Sequence, residues 1–78
     1  MMTIHVLSFG PVSDLVASGP TEVPTGLNAG TLKQELQQRF PGLQQLSYSI
    51  AVNRIIAPDE QPIADNDEVA LLPPFSGG

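Results

Sequence analysis

Thr31-Leu32-Lys33-Gln34-Glu35-Leu36-Gln37-Gln38-Arg39-Phe40-Pro41-Gly42 is the segment that decides the fold. Leu32, Leu36 and Phe40 recur at i, i+4 and i+8, which places them on one narrow stripe of an otherwise polar helix. Thr31 followed by Gln34 fits a capping box, in which the threonine side chain accepts from a first-turn N–H and the glutamine reaches back; Pro41-Gly42 then stops the helix. A helix with a single apolar face has to lay that face on something. The rest of the chain, read outward in both directions, supplies a sheet.

Upstream, Thr3-Ile4-His5-Val6-Leu7-Ser8-Phe9 reads as a strand bounded by Gly10-Pro11. Its two faces, Ile4/Val6/Ser8 and His5/Leu7/Phe9, both carry apolar residues, which predicts a central strand covered at least partly on two sides. Residues 11–17 fit a short helical turn with Leu15 and Val16 inward, and residues 21–23 a brief strand returning beside the first. Downstream, Tyr48-Ser49-Ile50-Ala51-Val52 is a strand, Asn53-Arg54 a two-residue turn in which Asn tolerates positive φ, and Ile55-Ile56 the short return. After a loop at 58–62, the cluster Asp65-Asn66-Asp67 turns into a last strand, Glu68-Val69-Ala70-Leu71-Leu72. The order predicts a two-layer α+β domain, a mixed sheet with one main helix across it.

With 78 residues the chain is one small domain, and with no cysteine its stability has to come from packing alone. A 41% hydrophobic content argues for a folded globule. No apolar run approaches the length of a membrane span, and Met1-Met2-Thr3 leads into a strand pattern without the basic flank of a signal peptide, so a cytoplasmic location and no membrane partner are expected. The net charge of −5 leaves only Lys33, Arg39 and Arg54 as cations. Three scattered cations cannot build the basic face that phosphate binding needs, which excludes nucleic acid as a partner. The same acidity suits a basic partner surface, or simply solubility. Arg54, at an exposed hairpin tip, could pair with acids on a partner, although a solvated surface charge is the simpler reading.

The usual parts of an active site are missing. The single histidine, His5, sits mid-strand, where a lone imidazole is ordinarily a packed or solvent-tipped residue. There is no dinucleotide or nucleotide-phosphate loop, and Pro74 stands where Phe75-Ser76-Gly77 would need its first glycine to form a nucleophile elbow. Asp65-Asn66-Asp67-Glu68 lacks the glycine and distal glutamate of a calcium loop, so it reads as a turn and no metal site is expected. What remains is the terminus.

Pro73-Pro74-Phe75-Ser76-Gly77-Gly78 begins where the last strand ends. Two prolines donate no hydrogen bonds, so sheet pairing should cease at Leu72, and their restricted φ makes a stiff, extended stem. The paired glycines have no Cβ and can thread a channel too narrow for other residues. The expected organisation is a domain over 1–72 and an extended tail over 73–78 that projects from a rigid edge and carries the reactive carboxylate of Gly78.

These motifs together resemble the MoaD family, the small sulfur-carrier subunit of molybdopterin synthase: strand 4–9, the capped helix from Thr31, Ala51-Val52-Asn53 closing a strand, Asp65-Asn66-Asp67-Glu68-Val69 entering the last strand, and Leu72-Pro73-Pro74-Phe75-Ser76-Gly77-Gly78. The resemblance runs the whole length, and Pro-Pro-x-x-Gly-Gly after an apolar strand is its most specific element. Asn66 replaces the glycine usual between the two acids, a change that Asn, tolerant of left-handed geometry, should absorb. The resemblance implies a ubiquitin-like β-grasp fold and a non-catalytic subunit of a heterotetrameric sulfurtransferase. It implies that a MoeB-like adenylating enzyme consumes ATP to activate Gly78, that a persulfide converts the acyl-adenylate to a thiocarboxylate, and that this donates sulfur to cyclic pyranopterin monophosphate inside a MoaE-like large subunit. No cofactor would be bound by the chain itself.

For the tail, the resemblance implies that Pro73, Pro74, Phe75, Ser76 and Gly77 occupy the partner's channel, with Phe75 as an aromatic anchor. It also implies docking through an apolar sheet face, for which Leu7, Phe9 and Leu71 are the candidates, with ordinary core packing of Leu7 and Leu71 the alternative. Other Gly-Gly carriers, serving thiamine or cysteine biosynthesis, and ubiquitin-like protein modifiers share the activation of the terminal glycine and stay open as readings, as does a plain interaction domain whose tail has no chemistry.

Overall fold

A computed structural model describes residues 1–73. Its strands are β1 (Met2–Ser8), β2 (Gly19–Val23), β3 (Ser49–Val52), β4 (Ile55–Ile56) and β5 (Glu68–Leu72), with one α-helix, α1 (Ala29–Arg39), and 3-10 turns at Gly10–Asp14 and Pro41–Gln45. The five strands form one mixed sheet in the order β2-β1-β5-β3-β4. β1 pairs antiparallel with β2 and parallel with β5, and β5 pairs antiparallel with β3. The expected α+β architecture is the observed one.

The helix lies on one sheet face and seals the core there. Leu32 and Leu36 are fully buried with Ile4, Val6, Val69 and Leu71, and Phe40 packs partly against the cluster. Burying the apolar stripe of α1 against the alternate residues of the strands is the main stabilising event, roughly 1.5–3 kcal/mol for each large aliphatic side chain removed from water. Leu43, from the turn after the helix, and Val12 and Val16 close the ends of this layer. Of the residues expected inward from 11–17, Val16 is buried, but Leu15 is exposed and lies against Gly42 instead. The turn there is 3-10, and its tighter winding brings Val12 rather than Leu15 to the core.

The helix starts earlier than its sequence pattern suggests. Asn28, not Thr31, is the N-cap: Asn28 Oδ1 accepts from Thr31 N at 2.8 Å, and Thr31 Oγ1 accepts from Asn28 N at 2.9 Å. The loop before β5 makes the extra turn affordable, because the N–H groups of Ala29 and Gly30 donate to the carbonyls of Gln61 and Asp59, each at 2.9 Å. Helix N–H groups that would otherwise be orphaned are thus satisfied by tertiary contacts.

Two turns carry strained residues. Asn53 and Arg54 connect β3 to β4 with φ of 50° and 72°, the left-handed pair of a tight hairpin whose second position glycine usually fills. Holding a non-glycine residue there costs roughly 1 kcal/mol. Asn66 also has positive φ, 69°, as expected for the residue between the two acids. That turn is structural: Asp65 Oδ1 accepts from Thr3 N at 2.8 Å, Asp67 Oδ2 accepts from Ala64 N at 2.8 Å, and Asn53 Nδ2 donates to Asp67 Oδ1 at 3.1 Å. Among the described residues no group of three potential ligands could hold a metal ion.

Candidate functional site

Side-chain alternation in a sheet means that residues directly opposite each other share a face. The register pairs Val6 with Val69 and Ser8 with Leu71, and on the other side Ile50 with Leu71 and Val52 with Val69. These residues form the helix-side face. The intervening set, Leu7 paired with Ala70, Ala70 with Ala51, Ala51 with Ile56, and Ser49 with Leu72, forms the opposite face. No described helix crosses it. β1 is internal as expected, between β2 and β5, but among the described residues its second face is covered only in part: Leu7 is half-buried, His5 exposed, and Phe9, at the end of the strand, 45% exposed.

Leu7, Phe9 and Leu71, expected on one face, are separated in the structure. Leu7 and Phe9 do meet on the open face, with Ala51, Ile56, Ala70 and Leu72, around a shallow depression of about 310 Å³ that Arg54 and Glu68 rim. Leu71 does not: it is fully buried against the helix layer. The parity of β5 decides this, since Val69 and Leu71 point to the core and Ala70 and Leu72 away from it. Ile56 was missed although it is 61% exposed and apolar; a two-residue strand has too short an alternation to reveal its face.

The second part of the site is the root of the tail. β5 is the middle strand of the sheet rather than an edge, held on one side by β1 and on the other by β3. Its last paired residue is Leu72, opposite Ser49. Pro73 leaves the sheet and lines a cavity of about 200 Å³ with Pro11, Val12, Gln45, Leu46 and Ser47. The positions expected to carry the chemistry, Pro74, Phe75, Ser76, Gly77 and Gly78, lie outside the described residues. The last strand thus ends at the centre of the sheet, paired on both sides, next to a face that no helix among the described residues covers. Among the described residues that line the open face Glu68 is the one acid, and its carboxylate lies 3.5 Å from Arg54 Nε.

A mixed sheet with one crossing helix and a central C-terminal strand that runs into a tail defines the class of ubiquitin-like β-grasp proteins. Solved structures share it over nearly the whole chain: a molybdopterin converting factor subunit 1 from Pyrococcus furiosus superposes with a TM-score of 0.85 at 22% identity, covering 96% of this chain and 100% of that one. Small archaeal modifier protein 1 of Haloferax volcanii has the same fold, with a TM-score of 0.80 at 17% identity, covering 96% of this chain and 100% of that one. Subunit 1 and 2 of molybdopterin-converting factor from Helicobacter pylori form a complex whose structure matches at 26% identity with a TM-score of 0.70, over 99% of this chain and 100% of that one.

The sequence comparison is more specific. The model of the ThiS family matches residues 6–78. A molybdopterin synthase sulfur carrier subunit from Mycobacterium tuberculosis is 37% identical over the full length of both chains, and the subunit of that name from Escherichia coli is 32% identical over 96% of this chain and 99% of its own. The chain belongs to the ThiS family of ubiquitin-like proteins, and the resemblance to MoaD drawn from its motifs holds across its whole length.

Proposed function

We propose that this chain is the sulfur-carrier subunit of a molybdopterin synthase, with the carboxylate of Gly78 as the group that carries sulfur. The observation that supports the reading most directly is the course of β5: the central strand leads through Leu72 into Pro73-Pro74-Phe75-Ser76-Gly77-Gly78, and the family match continues through residue 78. A carboxylate is a poor electrophile. A MoeB-like enzyme would therefore couple it to ATP, the Gly78 oxygen displacing pyrophosphate to form an acyl-adenylate. A persulfide sulfur then displaces AMP, and a thiol cleaves the resulting S–S bond, leaving the thiocarboxylate on Gly78 and a disulfide behind.

The charged carrier would next dock on a MoaE-like large subunit and donate sulfur to cyclic pyranopterin monophosphate, the catalytic groups being those of the large subunit in a heterotetramer. Docking is assigned to the open face around Leu7, Phe9, Ala51, Ile56, Ala70 and Leu72. Pro73, Pro74, Phe75, Ser76 and Gly77 are assigned to the channel, with Phe75 as the anchor. Truncating a buried aromatic anchor commonly costs 2 kcal/mol or more of affinity. No cofactor resides on the chain, ATP is spent by the activating enzyme, and the cytoplasm is the assigned location. Among the described residues no helix is long and apolar enough to cross a membrane.

Intact-protein mass spectrometry after incubation with the activating enzyme, ATP and a sulfur donor tests this. The protein should gain the difference between one sulfur and one oxygen atom, localised to the C-terminal peptide. Unchanged mass in the presence of an activator shown to be competent would eliminate the carrier role, and Gly78 joined to lysines of many proteins would replace it with a modifier.

A further inference from the structure

Arg54 occupies a backbone position that the two-residue β3–β4 hairpin requires but that an arginine side chain does not suit. Its φ of 72° lies in the left-handed region, at the hairpin position where glycine would be free of strain. Its one ionic partner among the described residues is Glu68, reached through Nε at 3.5 Å with the Arg54 side chain 86% exposed. So exposed an ion pair contributes little to stability and does not offset the backbone strain. A strained, solvent-facing residue whose cost the domain does not recover is the kind of outlier that points to a role outside it.

The position of the guanidinium identifies that role. Arg54 lines the depression on the open apolar face at its Glu68 end, with Ile56 also in the lining. The other two cations sit on α1, across the sheet, where Arg39 pairs with Glu35 and Lys33 lies 5.0 Å from the centre of the Tyr48 ring. Arg54 is thus the only lysine or arginine at the proposed docking face of a chain with net charge −5. A planar guanidinium keeps donors free after a single Nε contact, and these are shaped for a carboxylate. Leu7, Phe9 and Ile56 give the face its apolar contact but no sign that would orient a partner upon it.

Building on the carrier reading, we propose that Arg54 is a specificity residue of the docking face that pairs with a carboxylate on the large subunit, at the edge of the apolar contact. Glu68 holds the guanidinium in place before docking. Because the same residue strains the hairpin, domain stability and partner affinity oppose each other at position 54.

The test is Arg54→Gly in the full chain, measured twice. Urea denaturation of the free chain should give a higher midpoint than wild type, since glycine adopts the left-handed conformation without strain. Association with the large subunit should weaken, roughly two- to fivefold for an exposed ion pair, chiefly through the on-rate and more at low salt than at high salt. Arg54→Glu should weaken it further, and an acid-to-arginine change on the large subunit should rescue that variant. Unchanged affinity and salt dependence for Arg54→Gly, or a lowered urea midpoint, would overturn the proposal while leaving the carrier reading standing. Failure of the wild-type chain to bind the large subunit at all would overturn both.

Discussion

Gly10 lies directly against Pro73, so that a Cβ on Gly10 would stand 3.4 Å from both Cβ and Cγ of the proline ring. The contact joins the end of β1 to the root of the tail, and Gly10 makes it with φ of +60°. Gly10→Ala should therefore destabilise the domain by roughly 1 kcal/mol, the cost of forcing a Cβ into left-handed geometry. The urea midpoint checks it, and a variant as stable as wild type would show that the 3-10 turn at Gly10–Asp14 adjusts freely.

Leu71 and Phe9 should respond in opposite ways to substitution. Leu71 is fully buried, so Leu71→Ala should cost about 2–5 kcal/mol of stability through lost burial and the cavity left behind. Phe9 is 45% exposed on the open face, so Phe9→Asp should leave the domain folded while putting a charge into the proposed contact. Denaturation curves together with affinities for the large subunit separate the two; unaltered binding by a folded Phe9→Asp protein would put the interface elsewhere.

Removal of Gly78, or extension beyond it, should abolish sulfur transfer and leave the urea midpoint unchanged, since β5 pairing ends at Leu72. Phe75→Ala should also leave stability unchanged but weaken docking and slow transfer. A truncated chain that still transfers sulfur at the wild-type rate would remove Gly78 from the chemistry.

Tyr48 makes stability fall at alkaline pH. The residue is only 6% exposed, and burial raises the pKa of its phenol above the ordinary value of 10.0, against a smaller lowering by the hydrogen bond from Gln37. The folded state thus keeps the phenol neutral in a range where the unfolded chain ionises. Stability from this source is complete below about pH 10 and is lost as pH rises through the raised value. Thermal melts across this range should show a steeper alkaline decline for wild type than for Tyr48→Phe; equal declines would assign the effect to other groups.

The elements legible in the sequence are those set by local chemistry. The stripe Leu32-Leu36-Phe40 declares a one-sided helix whatever it packs on, Asn53 and Asn66 tolerate the positive φ their turns require, and Pro73 has no N–H with which to continue a ladder. The terminal Gly-Gly and its proline stem are equally local, which is why the candidate chemistry could be read before any fold was known. Tertiary structure alone decided what depends on partners distant in the chain. Asn28 displaced Thr31 as the cap because the carbonyls of Asp59 and Gln61 satisfy a turn that the helix sequence cannot satisfy itself. Leu71 went to the core, and Ala70 and Leu72 to the open face, because the parallel register with β1 and the antiparallel register with β3 fix which side of β5 meets the helix. A run such as Val69-Ala70-Leu71-Leu72 is apolar on both sides, so only its neighbours can say which side is the core.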